Sequence, residues 1–228
     1  FYKQISENDE EFRKTEYLKE ISWLKDENDD LYDPDYSDVV RVSFTKEFER
    51  GKMRELVGLL SGRNFETRTY EDIIQEETFQ RLSSSVSDFV NQTHFKRFLM
   101  IIKSTGFIDS SMIGSKNALN FSYILYLKLR SKEVEESVIE KSVRRWFVMS
   151  VLTGRYSGSP ESVFDNDIKT IAKNGVEATL QGLEDAELSD AFWEIGLPKE
   201  LDKSSINSPY LKVFFASQVK AKDEGFLS

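Results

Sequence analysis

KNALNFSYILYLKLR, Lys116 to Arg130, is the stretch that decides the fold. Phe121, Ile124, Leu125, Leu127 and Leu129 nearly encircle a helix, and a helix that is apolar all round must be covered all round. It takes a central position, and the rest of the chain supplies its cover. Towards the C-terminus, ESVIEKSVRRWFVMSVL (Glu136 to Leu152) sets Ile139, Val143, Trp146, Phe147, Met149 and Ser150 on a broad inward stripe. Arg144 and Arg145 lie on its more polar side. Towards the N-terminus, HFKRFLMIIK (His94 to Lys103) supplies Phe95, Phe98, Leu99, Ile101 and Ile102.

The pattern predicts helices near 70–80 and 82–103 ahead of the centre. After it come shorter ones near 160–173, 175–182, 185–195 and 209–222. From Val39 onward Phe44, Phe48, Leu56, Val57, Leu59 and Leu60 are core candidates, interrupted near Gly51 and ended near Gly62. In the following SGRNFETRTYED, Thr69 three residues before Asp72 reads as a capping box. In the first 38 residues, Phe12, Tyr17, Leu18, Ile21 and Leu24 fall roughly on one helical face. Pro34 and the aspartates from Asp26 to Asp38 then make a polar connection without the glycine and terminal glutamate of a calcium loop. No alternating strand pattern and no internal repeat emerge. The expectation is an all-α fold, a multi-helix orthogonal bundle. The turn-like SSMIGS near residue 110 suggests two helical subdomains, 1–110 and 111–228.

Composition narrows the function. With 228 residues, 17 phenylalanines and 9 tyrosines, the chain can bury a substantial core. Its formal charge of -9 repels nucleic acid overall, so any contact with DNA needs a local basic patch. The absence of cysteine excludes disulfides and thiolate metal sites. No run approaches the length of a membrane span, and a first residue of Phe1 with no signal-like segment after it suggests a piece of something larger, with a cytoplasmic default.

Chemistry is scarce. His94 is the only histidine and reads as a half-buried structural residue rather than a metal ligand or base. There is no nucleophile elbow, no HExxH and no P-loop, so no catalytic residue, metal or cofactor is assigned to this chain. The one unusual loop is GRYSGSPES, Gly154 to Ser162. Capping accounts for much of it: Gly154 suits a left-handed helix end, Pro160 a first turn, and Ser159 with Glu161 a helix N-terminus. Arg155, Tyr156 and Ser157 remain. With Arg144 and Arg145, and with Arg63 and Arg68 from the earlier loop, they are candidate contacts to a phosphate, to DNA or to a neighbouring domain.

Several blocks carry a resemblance: RGKMRELVGLLSGRNFETRTYED, THFKRFLMIIKS, NALNFSYILYLKLR, RRWFVMSVLTGRYSGSPES and SPYLKVFFASQVKAKDEGFLS. They resemble the DUF262 family, relatives of the GmrSD-type modification-dependent restriction endonucleases, over most of residues 39–228. The matching positions include Arg144, Arg145, Trp146, Gly154, Arg155, Tyr156, Ser157, Ser159, Glu161 and Ser162. The resemblance implies the helical region between an N-terminal ParB/sulfiredoxin-like nucleotide-binding domain and a C-terminal HNH-type (DUF1524) nuclease domain. Neither the family's aspartate-glycine-glutamine motif nor its paired nuclease histidines occur in this chain. The implied partners are those two domains and, through them, DNA; a second copy of the chain is a further candidate. The implied role is a non-catalytic scaffold or coupling region. A phosphate-binding arginine module and a helical interaction domain are the alternatives.

Overall fold

The computed structural model describes Trp23, residues 31–203, Ser205 and residues 207–222. The helical face expected over Phe12 to Leu24 lies, apart from Trp23, outside the described residues. Among the described residues there are ten α-helices and no strand: α1 (Tyr36–Phe48), α2 (Met53–Leu60), α3 (Asp72–Val90), α4 (Gln92–Lys103), α5 (Lys116–Ser131), α6 (Glu136–Leu152), α7 (Pro160–Asn174), α8 (Val176–Glu187), α9 (Leu197–Lys203) and α10 (Pro209–Ala221). The chain is an all-α multi-helix bundle.

α5 is the centre. Every residue from Ala118 to Leu129 is buried, because α1 and α6 pack along it and α4 closes a third side. Phe121 is the hub: its ring stacks on Trp146 at 5.2 Å and on Tyr156 at 5.3 Å, and meets Phe164 edge-on at 5.1 Å. Polar groups on such a helix must find partners. The Asn120 amide accepts from the Tyr32 hydroxyl at 2.7 Å and donates to Asp38 at 2.7 Å. The Lys128 ammonium donates to the Glu49 carboxylate just past the end of α1.

One hydrophobic cluster contains residues from both sides of position 110, from Leu31 and Phe44 to Phe164 and Ala216. Polar ties cross the same position. The Gly51 amide donates to the Asp165 carboxylate at 3.0 Å, and the Met53 amide to Glu161 at 3.3 Å.

Local chemistry sets the ends. α1 begins in a capping box, with Asp35 accepting from the Ser37 and Asp38 amides and Asp38 accepting from Asp35. The long segment before the centre is cut at Asn91 rather than near residue 81. The buried stripe Thr78, Leu82, Val86, Phe89 runs unbroken through α3, and the Asn91 side chain then accepts the His94 amide to start α4. Thr69 does not cap α3. It donates to Glu71 at 3.0 Å, and Glu71 holds the N-cap position without a side-chain cap bond.

The helix expected over 185–195 is broken at Leu188, where α8 has ended, and a wide turn over Phe192–Gly196 leads into α9. α10 docks by backbone. A Cβ built on Gly106, whose φ is +94°, would lie 1.8 Å from the Ala216 carbonyl oxygen. No helix among the described residues is long and apolar enough to cross a membrane.

Candidate functional site: the Gly154–Ser162 loop

α6 ends in a Schellman motif. Gly154 takes φ +61°, its amide donates to Val151 at 3.2 Å, and the Arg155 amide donates to Ser150 at 3.1 Å. That turn aims Arg155 and Tyr156 inward between α6, α7 and α8. Ser157, on the outer side, donates to the Gly154 carbonyl at 2.6 Å and closes the turn. Ser159 sits at the N-cap of α7 but makes no side-chain cap bond, and Pro160 opens the helix. Glu161 points away from the loop, within 3.8 Å of Arg41 and within reach of the Met53 amide.

Inside the loop is a closed polar chain. The Trp146 indole donates to the Tyr156 hydroxyl at 3.0 Å, and that hydroxyl donates to Asp167 at 2.9 Å. Arg155 reaches the same carboxylate through two bonds of 2.9 and 2.5 Å, and Glu187 at the end of α8 through a third of 2.7 Å. The Asp167 side chain is 2% exposed and that of Arg155 is 12% exposed. Burial works against the Arg155 charge, but Asp167 outweighs it, with Glu187 adding to the effect, and the guanidinium is held protonated even more firmly than usual. Burial, reinforced by the Asp167 charge, pushes the Tyr156 phenol well above its ordinary range, so it stays a neutral donor. A bidentate arginine clamp on a buried carboxylate is a strong, directional contact. Here both partners belong to the chain itself.

The other candidate residues go elsewhere. Arg145 forks onto Glu184 at 3.1 and 2.6 Å and reaches Glu177 at 2.7 Å, pinning α8 to α6. The two Glu184 bonds, and after them the one to Glu177, raise its pKa against the opposing effect of burial. Arg144, one residue earlier, has among the described residues a single carboxylate, Glu140, at 3.7 Å. Arg63 lies over the Phe65 ring at 5.4 Å, and Arg68 is exposed at a left-handed φ of 62°. The structure therefore does not bring Arg63, Arg68, Arg144, Arg145 and Arg155 into one patch. A polar cleft of about 440 Å³ does open at Gly154, Arg155, Ser162 and Asn166, but its charged lining is Arg155 and its partner Glu187. An anion there would have to displace carboxylates already in place.

Asp167, Glu187, Glu177 and Glu184 carry the site, and sequence reading passed over all four. Asp167 left a signal. It occupies the inward face of α7 beside Phe164, Ile168 and Ile171, where a carboxylate requires a cation. His94 is half-buried with Nδ1 3.4 Å from the Asp88 carbonyl oxygen, and burial lowers its pKa. No group of three or more residues suited to a metal ion occurs among the described residues. No protein-family model, no curated protein and no solved structure matches the chain.

Proposed function

We propose that this chain is a non-catalytic helical scaffold that couples the flanking domains of a DUF262-type, DNA-targeting restriction protein. The observation that supports it most is the fate of Arg155. The loop that carries the family resemblance places its arginine on Asp167 and Glu187, tying α6, α7 and α8 together. Arg145 does the same for α6 and α8 through Glu177 and Glu184. A region built this way transmits displacement as a unit, because moving α8 moves α6 and α7 with it. In the parent protein, nucleotide use and DNA cleavage then belong to the neighbouring domains, in a cytoplasmic setting. The helical region keeps those domains in register and needs no cofactor of its own.

A salt-titrated binding assay against duplex DNA tests this reading. The chain is expected to show no binding at low salt, and the Arg63→Ala/Arg68→Ala/Arg144→Ala variant no change. Binding that weakens as salt rises and falls in that variant instead assigns a phosphate-contacting role to the exposed arginines. Association of the chain with itself in sedimentation, without DNA, favours the interaction-domain alternative.

A further inference from the structure

A groove of about 420 Å³ lies between α6 and α10, and no residue of the Gly154–Ser162 loop lines it. Its volume falls within the roughly 300–1,000 Å³ of small-molecule sites, and like them it is mostly apolar with a few charged groups. Val148, Leu152, Leu188, Trp193 and Val213 supply the apolar wall. Trp193 is 47% exposed, although large aromatic side chains gain most from burial.

The groove is polarised along its length. The Phe192–Tyr210 ring contact, 6.3 Å between centroids, brings the start of α10 to the Leu188 end. Lys220 sits at the other end of α10, roughly 15 Å further along at 1.5 Å per residue. The Arg155–Glu187 bond of 2.7 Å sets the end of α8, and with it Leu188, beside the end of α6, so Leu152 belongs to the apolar end, while Lys141 and Arg144 lie two to three turns back towards the helix start. Three cations, Lys141, Arg144 and Lys220, thus line the groove away from its apolar end. Among the described residues Lys141 and Lys220 make no ion pair, and Arg144 has only Glu140 at 3.7 Å. Glu184, the acid of the lining, is occupied by Arg145 at 2.6 Å. Lys141 also acts on the Glu177 carboxylate, but Glu177 is already bonded to Arg145 at 2.7 Å, so the three cations keep a positive excess beside an open apolar wall and complement an anionic head and an apolar body.

We infer that this groove binds an amphipathic organic anion, with the anionic head at Lys141, Arg144 and Lys220 and the apolar body along Val148, Leu152, Leu188 and Trp193. Decanoate below its micelle concentration is the probe, followed by calorimetry and by the change in tryptophan emission that Trp193→Phe should remove, with decanol as the uncharged control. One saturable site is expected. Decanol, and decanoate with the Lys141→Ala/Arg144→Ala/Lys220→Ala variant, should each bind at least about tenfold more weakly, or about 1.4 kcal/mol. Leu188→Glu, verified as folded by its melting curve, should abolish binding by placing a like charge against the apolar body. The inference is overturned by an absence of saturable binding, by equal affinity for decanol, or by an unaffected triple variant. Failure with decanoate alongside tight binding of an acidic amphipathic helical peptide also overturns it and assigns the groove to a protein partner.

Discussion

Two loops of this chain look alike in sequence and behave in opposite ways. Ser61–Glu71 and Thr153–Ser159 both join helices, and both carry arginine among small polar residues. The first folds onto itself. The Asn64 side chain accepts the Glu66 and Thr67 amides at 2.9 and 3.2 Å, and the Glu71 amide returns to Gly62 at 2.8 Å. Arg68 and Tyr70 are left in solvent. The second loop turns its arginine and tyrosine into the bundle, where carboxylates from two later helices receive them. What separates the loops is a carboxylate inside the core. In these two loops the arginine becomes structural where a buried acid lies within reach of its fork, and stays a surface charge where none does.

The contrast breaks most directly at Arg155. Arg155→Ala leaves Asp167 buried with only the Tyr156 hydroxyl, and a loss of about 3–5 kcal/mol is expected in urea unfolding. Tyr156→Phe removes the hydroxyl that joins Trp146 to Asp167, and should cost about 1–3 kcal/mol by the same measurement. In the first loop the effects shrink and one changes sign. Arg68→Gly relieves a left-handed backbone and should stabilise by up to about 1 kcal/mol. Arg63→Ala removes an exposed contact to Phe65 and should cost about 0.5–1 kcal/mol or less.

The pH dependence sharpens the same comparison on α7. Burial opposes the charge on Asp165, but Lys169, the Gly51 amide and Lys52 together lower its pKa. A carboxylate lowered in the folded state contributes stability that is fully present above the unfolded value near 3.9. That contribution fades as pH falls through the folded value. Thermal melts from pH 7 to pH 3 should therefore show a shallower acid-side decline for Asp165→Asn than for the parent chain.

The sequence made the centre of the fold legible because burial there is one-dimensional. α5 is apolar on every side, so its bounds and those of α6 could be read without knowing their neighbours. The break at Asn91 could not. It depends on one side chain accepting an amide three residues on, inside a segment whose apolar stripe continues. Loop contacts were harder still. Arg155 meets Asp167 across a turn and Glu187 across a whole further helix, and no local spacing encodes where α8 returns. Asp167 among Phe164, Ile168 and Ile171 was the one readable trace, since a charge on an apolar face announces a hidden counter-charge.

The indole proton of Trp146 has a further use as a clock. It is held on a phenol whose own proton is held by Asp167, all within the interior. Solvent can reach it only when that chain of three groups comes apart. In deuterated water, the lifetime of this single hydrogen records how often the 153–159 turn lets go and for how long. Dynamics at the junction of three helices can thus be timed at one resonance, with no label added to the chain.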